Sequence, residues 1–295
     1  MPTLSHCIVC GSKGIAVLYE ATYKGDAAGA SQYFLNQRSM VAKGRIVRCT
    51  DCGFVFTNPQ FTSDEYKQIY AAAPRVNDAA DRLAEAERLR FMWLAGLVQK
   101  YSGTDGRLFD FGCSDGKFLR IVSAREKVGH DVAHFSPDDS LAITILSGDF
   151  LSSVGRAPLL EQSFDSVTAW DVLEHLPDLD RYVGAMYRLL KPGGLLFVTL
   201  PNISSFAARA TGHLWNMLLL EHLWYFTPNT FERFMAQRQF VHVAHGTTSF
   251  WFPISHFAER FAQTYGVDIR GIVKPIGKLI VTVPVGLMYA IYRRA

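Results

Sequence analysis

Short apolar strands alternate with helices between residues 107 and 201, and this alternation constrains the fold more than any other feature. The stretches RLFDF, DVAHF, FDSVTAWDV and GGLLFVTLP have the apolar character of buried strands. GKFLRIVSARE and DRYVGAMYRLL, which lie between them, have the spacing of helices. Strands joined by helices pair in parallel, so the sequence predicts an α/β fold with a Rossmann-like, doubly wound sheet.

Upstream of the alternating region the character of the chain changes twice. We predict a small cysteine-containing module over residues 1–60, a helical linker over 61–103 and the α/β domain over 104–295. The C-terminal stretch LIVTVPVGLMYAIYRRA is too short to span a bilayer. Its β-branched content predicts a final buried strand, and peripheral membrane contact through the C-terminus is the alternative.

The composition is that of a globular protein, with 49% hydrophobic and 19% charged residues. A net charge of +3 on 295 residues is too small to predict a nucleic-acid partner. The start of the chain, MPTLSHCIVCGSKG, lacks the basic and apolar regions of a signal peptide. Four of the five cysteines form two C-x-x-C pairs, which is typical of a reducing compartment. We therefore expect a cytoplasmic location.

The two cysteine pairs predict a metal site. Each pair is followed by a glycine, which suits the sharp turn that lets two thiolates hold one ion. Four sulfur ligands make a closed site, as in structural zinc, and free or redox-active cysteines are the alternative. The predicted zinc ligands are Cys7, Cys10, Cys49 and Cys52. The 38 residues between the pairs predict a β-hairpin.

The stretch GCSDG at residues 112–116 has two interpretations. It matches the elbow that presents a nucleophilic serine in hydrolases, here Ser114. That elbow normally follows several strands, whereas this loop follows the first strand of the α/β region. The alternative is a cradle in which Gly112 and Gly116 let the backbone approach a cofactor. Chain order favours the cradle, although its spacing is not that of NAD-binding loops.

Further motifs support the cradle. LFDFGCSDGKFL, followed by FDSVTAWDVLEHLPDLDRYVGAMYRLLKPGGLLFVTLPN, resembles the class I S-adenosylmethionine-dependent methyltransferases over about residues 107–202. CTDCGFVFTNP upstream and EHLWYFTPNTFERFM downstream resemble a bacterial subfamily with an N-terminal zinc-binding module. Such enzymes often act in polysaccharide, deoxysugar or secondary-metabolite pathways.

The resemblance implies specific roles at the cofactor site. Asp149 matches the residue that commonly contacts the adenine amine, and Asp171 lies after the fourth strand of the domain, facing the methyl group. The loop matches the motif that wraps the methionine portion of the cofactor, through Asp110, Gly112, Ser114 and Gly116.

The sequence departs from the family pattern in two places. Serine stands at position 114 where the family usually has glycine. The family also places an acid after the second strand, where it holds both ribose hydroxyls. If DVAHF is that strand, Ser136 takes the position of the acid, and Asp138 is the nearest substitute. A cofactor-binding scaffold that has lost methyl transfer is therefore an alternative.

A hydroxyl acceptor needs a general base, and histidine is the expected choice. His222 ranks first because it lies in the segment, about residues 203–270, that covers the substrate in this family. His175 is the second candidate and His213 the third. Asp171, Glu174 and His175 also resemble the cluster that binds a divalent ion in some quinone O-methyltransferases, which would favour a catechol.

We expect methylation of a hydroxyl on a sugar, glycolipid or secondary metabolite, with a small-molecule or glycan acceptor as the partner. The alternatives are carbon or nitrogen as the acceptor atom, and the scaffold and serine-hydrolase interpretations given above.

Overall fold

The computed structural model describes residues 2–34, 42–73, 80–133 and 142–295, without the side chains of 80–83, 257, 260 and 263–265. The chain divides into two compact units. The first unit comprises residues 1–90, 201–227 and 247–287, and the second comprises 91–200, 228–246 and 288–295. This division differs from the predicted boundaries at 60 and 103, because later segments complete the first unit.

The strands are β1 (Ile15–Tyr19), β2 (Ile46–Cys49), β3 (Val55–Thr57), β4 (Arg107–Phe111), β5 (Glu126–Asp131), β6 (Ile143–Ser147), β7 (Phe164–Trp170), β8 (Leu190–Pro201), β9 (Trp224–Tyr225), β10 (Phe240–Pro253) and β11 (Ile280–Arg294). The α-helices are α1 (Ala27–Ala30), α2 (Ser63–Ala72), α3 (Ala80–Ser102), α4 (Lys117–Ile121), α5 (Phe150–Ser153), α6 (Leu179–Leu189), α7 (Phe206–Thr211), α8 (Pro228–Ala236), α9 (Ile254–Tyr265) and α10 (Arg270–Val273).

The second unit is built on the predicted α/β sheet. The strand order is β10-β11-β8-β7-β4-β5-β6, and the pairs from β8 through β7, β4 and β5 to β6 are all parallel. Helices α4 and α6 connect strands as the alternation of the sequence predicts. The Rossmann-like doubly wound fold is therefore confirmed.

One face of this sheet is closed by α3 and α4. Leu94 and Val98 of α3, with Phe118 and Leu119 of α4, are buried in one cluster. The apolar residues of α3 recur at helical spacing, which is why that side of the helix is removed from water.

The first unit contains a second sheet. Its order is β1-β2-β3-β9, and every pair in it is antiparallel. Ile15 of β1 faces Cys49 of β2, so the hairpin expected between the cysteine pairs is confirmed. Trp215 and Leu218 are buried in one cluster with Ile46, Val55 and Tyr225 of this sheet.

Two predicted elements differ from the structure. The helix predicted over GKFLRIVSARE is shorter, because α4 ends at Ile121. The strand predicted as DVAHF is wrong: β5 runs over Glu126–Asp131 and ends where the predicted strand begins. The sequence did not reveal the start of β5 because its first two residues, Glu126 and Lys127, are polar.

The C-terminal stretch is a strand, as predicted. β11 buries its second half, from Val285 to Tyr292, apart from the half-buried Tyr289. Among the described helices, none combines the length and apolar content that crossing a bilayer requires.

Gly129→Ala in β5 tests how tightly α4 packs on the sheet. A Cβ at this position would lie 2.6 Å from Cys113 Sγ and 2.7 Å from Leu119 Cδ1. Both neighbours are buried, so we expect the free energy of unfolding to fall by about 1–3 kcal/mol. Urea denaturation measures this change.

Gly96→Ala is the matched control. Gly96 lies inside α3, and among the described residues nothing comes within 4 Å of an added Cβ. Because alanine favours the helix, this variant should gain about 0.5–1 kcal/mol. Equal losses in both variants would contradict the packing argument.

Candidate functional site

The carboxyl ends of four neighbouring parallel strands meet at one edge of the large sheet. The order there is β7, β4, β5 and β6, and chain connectivity reverses direction between β7 and β4. Ligands of open α/β sheets bind outside the carboxyl ends of the strands at such a switch point. Neighbouring strands are about 4.8 Å apart, so the four ends lie within about 15 Å of one another.

The loop after β4 makes a tight turn at this edge. Gly112 has φ +75°, and the N–H groups of Gly112 and Cys113 both donate to the His130 carbonyl oxygen, at 2.8 and 3.1 Å. A Cβ on Gly112 would lie 2.4 Å from Cγ2 of Val172 in the loop after β7. Glycine is thus required here both by the turn and by the close approach of the next loop.

Ser114 has φ 50°, a conformation that costs a residue with a side chain about 1 kcal/mol or more. Its backbone N–H donates to Asp131 Oδ2 at 2.9 Å, which ties the loop to the end of β5. Gly116, at φ +80°, begins the turn into α4 and is buried beside Ile145 of β6. The cradle is therefore held by neighbouring strands.

Asp131 is a candidate site residue that sequence analysis missed. It is the last residue of β5, and its carboxylate also accepts a hydrogen bond from the Ala133 N–H, at 2.9 Å. An acid does end the second parallel strand, five residues before the predicted position. Ser136 and Asp138 lie outside the described residues. Gly129, two residues before Asp131, is the sequence signal that could have indicated the true strand. Its lack of a side chain lets α4 pack on β5 at this position.

Asp110 lies inside the sheet and is fully buried in β4. Thr168 of β7 donates its hydroxyl to Asp110 Oδ1 at 2.6 Å. Burial raises the pKa of Asp110 to about 7, and the hydrogen bond from Thr168 partly opposes that rise. Asp110 lies in the strand that leads into the cradle. Because its pKa is near 7, the charge of its carboxyl group changes near neutral pH.

Asp171 follows β7 and has φ 55°. Thr199 of β8 holds it: the Thr199 hydroxyl donates to Asp171 Oδ1 at 2.7 Å and accepts from the Asp171 N–H at 2.9 Å. Thr199 is fully buried, so this support is rigid. A strained residue that is fixed by its neighbours is typical of a functional site.

Asp149 follows β6 and Gly148, and it is exposed. The hydroxyls of Ser152 and Ser153 donate to its carbonyl oxygen, each at 2.9 Å, which fixes the backbone at the start of α5. The structure thus places Asp110, Asp149, Asp171, the loop from 112 to 116 and Asp131 in or next to the carboxyl ends of neighbouring strands.

The three candidate bases are assigned to different units: His222 and the exposed His213 to the first, and His175 to the second. His175, in the second unit, ends a 3-10 helix (Leu173–His175) after β7 and is half-buried. His222, in the first unit, is buried, with Nδ1 2.8 Å from the Met217 carbonyl oxygen. Because a carbonyl only accepts, Nδ1 carries a proton, and in the neutral ring Nε2 carries the lone pair.

The four predicted zinc ligands come together in the first unit. Cys7 Sγ lies 3.6 Å from Cys52 Sγ, and Cys10 Sγ lies 3.5 Å from Cys49 Sγ. All four sulfur atoms lie within 4.8 Å of one another. A tetrahedral ion with metal–sulfur bonds of about 2.3 Å requires sulfur–sulfur distances of about 3.8 Å. The arrangement therefore fits a tetrahedral S₄ site.

Each cysteine pair forms the same turn. The Gly11 N–H donates to the Cys7 carbonyl oxygen at 2.8 Å, and the Gly53 N–H donates to the Cys49 carbonyl oxygen at 3.0 Å. Both glycines have φ +75°. The two matched turns explain why glycine follows each pair.

Comparison with known proteins gives consistent matches. The model of the family described as "Methyltransferase domain" matches residues 78–245, which is more than half of the chain. A ubiquinone biosynthesis O-methyltransferase of Bradyrhizobium sp. (strain ORS 278) is 26% identical over 213 residues, covering 67% of this chain and 78% of the relative. The same-named enzyme of Paracidovorax citrulli is 33% identical over 129 residues, covering 41% of this chain and only 52% of the relative.

A solved structure with the same fold is the Burkholderia thailandensis 1,6-didemethyltoxoflavin-N1-methyltransferase with bound 1,6-didemethyltoxoflavin and S-adenosylhomocysteine. The TM-score is 0.50 at 13% identity, and the match covers 83% of this chain and 97% of that one. The family assignment agrees with the order of the sheet and with the glycine-containing loop after β4. The chain belongs to the methyltransferase-domain family.

Proposed function

We propose that this protein transfers a methyl group from S-adenosylmethionine to a hydroxyl oxygen of a small organic acceptor. The observation that carries the proposal is the edge of the sheet where a glycine-cornered loop meets carboxylates at the ends of β5 and β7. The cofactor carries an ammonium group, a sulfonium centre and a ribose diol. Each of these groups is stabilised by carboxylate acceptors.

The carboxylate acceptors at this edge fit this cofactor. Asp131 occupies the position after the second strand where the resemblance expects the acid that holds the ribose hydroxyls. Asp149 follows the next strand, β6, and is the proposed acceptor for the adenine amine, and the loop after β4 is the proposed backbone contact for the methionine portion. The scaffold alternative depended on the lack of an acid at the end of the second strand. Because Asp131 ends β5, that reason no longer applies.

The cofactor supplies an already activated methyl group, so the protein mainly has to position the acceptor and remove its proton. Asp171 is held rigidly at the end of β7, where the resemblance places the residue facing the methyl group. His222 is the proposed base: Met217 fixes its tautomer, so Nε2 is the nitrogen that accepts the proton of the hydroxyl.

Oxygen is the proposed acceptor atom because the relatives reported above carry O-methyltransferase in their names. Their names refer to ubiquinone biosynthesis. This supports a hydroxyl on a ring as one candidate acceptor, in addition to the sugar, glycolipid and secondary-metabolite hydroxyls that the sequence favoured. Incubating the enzyme with methyl-labelled cofactor and a panel of catechols, nucleotide sugars and lipid-linked glycans separates these classes.

A structural zinc ion is the second part of the proposal. The S₄ geometry supports it, and so do the two glycine turns. A closed set of four thiolates leaves no position for substrate, so the ion would stabilise the first unit and take no part in methyl transfer.

Asp131→Asn tests the cofactor site. Loss of the charged acceptor should weaken binding of S-adenosylhomocysteine about 10- to 100-fold, because a hydrogen bond to a charged group contributes about 1.5–3 kcal/mol. Isothermal titration calorimetry measures the affinity.

Glu126→Gln is the control, because it removes a carboxylate from the opposite end of the same strand, where Glu126 pairs with Arg107. Its affinity should match that of the wild type. Folded wild-type protein that binds neither S-adenosylmethionine nor S-adenosylhomocysteine at millimolar concentration would refute the proposed cofactor site.

His222→Asn tests the base. We expect kcat with the best acceptor of the panel to fall about 10²- to 10⁴-fold while the affinity for S-adenosylhomocysteine stays constant. His213→Asn changes the third candidate, an exposed histidine of the same unit, and should leave kcat unchanged. A large loss in His175→Asn together with none in His222→Asn would transfer the role to His175.

Metal analysis by inductively coupled plasma mass spectrometry tests the zinc site. Wild-type protein should carry about one zinc ion per chain, and Cys49→Ser should lose it and unfold at lower temperature. Cys113→Ser, which alters the buried fifth cysteine, should keep the metal. Metal-free wild-type protein from zinc-supplemented cells would refute the site.

A further inference from the structure

The segment Gly266–Leu279, between α9 and β11, presents large apolar side chains to solvent. Ile272 is 80% exposed and Leu279 is 59% exposed. Four of the twelve exposed large apolar side chains in the described part of the chain lie in this short segment: Val267, Ile272, Ile276 and Leu279. Such a concentration of exposed apolar surface marks an interaction site.

Three of these side chains lie close together in the chain. Ile272 belongs to α10, Ile276 ends the 3-10 helix Lys274–Ile276, and Leu279 follows it. All three are more than half exposed, so the segment has an apolar surface that nothing in the first unit covers among the described residues.

The segment also carries positive charge. Arg270, Lys274 and Lys278 are exposed and alternate with the apolar residues, and Asp268 is the one carboxylate of the segment, which gives a net charge of +2. Asp268 pairs with Arg270 at 2.7 Å. The two lysines border a shallow cleft that also contains Glu259 of α9.

The segment is held in place by α9. The Ile254 N–H donates to the Leu279 carbonyl oxygen at 2.9 Å, and the Ser255 N–H donates to the Gly277 carbonyl oxygen at 3.0 Å. Gly277 is buried against Ser255, where a Cβ would lie 3.3 Å from the serine Cβ. These contacts fix the end of the segment before any partner binds, which lowers the entropy cost of docking.

We propose that Gly266–Leu279 docks on the surface of an anionic lipid bilayer. Apolar side chains flanked by lysine and arginine are the composition that lies in the interface of a membrane, with the apolar atoms below the headgroups and the cations at the phosphates. A second copy of the chain is a poorer partner, because two segments of charge +2 repel each other. This site differs from the C-terminal stretch that the sequence offered as the alternative membrane contact, since β11 buries its second half.

Co-sedimentation of the full chain with vesicles tests the proposal. Wild-type protein should bind vesicles of mixed phosphatidylglycerol and phosphatidylcholine and dissociate as salt is raised. Ile272→Ser with Ile276→Ser should weaken binding about 100-fold, because burying each isoleucine contributes about tenfold. Lys274→Ser with Lys278→Ser should weaken it about 20-fold. Neither cofactor nor acceptor is needed, so the result is independent of the proposed methyl transfer.

Phe206→Ser is the matched control, since Phe206 of α7 is 81% exposed in the same unit but lies outside the segment. It should bind like the wild type. Equal binding to pure phosphatidylcholine vesicles, equal loss in Phe206→Ser, or displacement by inorganic phosphate at matched ionic strength would overturn the proposal. So would a dimer in sedimentation velocity that Ile272→Ser dissociates, because a second copy would then cover the face.

Discussion

β4 hydrogen-bonds in parallel with β5 on one side and β7 on the other, and the candidate site depends on this pairing. The register aligns Asp110 with Thr168 of β7, so the threonine hydroxyl reaches the buried carboxyl group. It also aligns Phe111 with His130, which brings Asp131 level with the start of the glycine loop. Because side chains alternate between faces, a slip of one residue would separate both pairs.

The two loops beside this pairing share a second feature. Ser114 and Asp171 both have positive φ, and neither is glycine. In each case the backbone N–H of the strained residue is bound by a side chain on the adjacent strand, Asp131 for Ser114 and Thr199 for Asp171. The strain is local, and rigid neighbouring strands hold it. This arrangement fixes the positions of the loops before a ligand binds.

Strong patterns were predictable from the sequence. β4 has the predicted bounds, and α6, β7 and β8 lie within a few residues of them, because their apolar residues recur regularly over long stretches. β5 was predicted too late in the chain because its first residues are polar. The role of Asp131 at the end of β5 was missed for the same reason. The supports from Thr168 and Thr199 join residues far apart in the chain, and only the register of the sheet reveals them. The cysteine pairs were predictable because their spacing is itself the signal.

The pairing of β3 with β9 has a consequence for the order in which the protein can fold during synthesis. Val55 faces Tyr225 across this pair, so the partners leave the ribosome about 170 residues apart. Until then β3 presents an unpaired edge to other chains, and the rings of Phe54 and Phe56 lack the neighbouring ring of Trp224. The N-terminal cysteine turns can form early, but the sheet behind them is completed late. A fragment that stops before β9 therefore carries an open sheet edge, which favours aggregation.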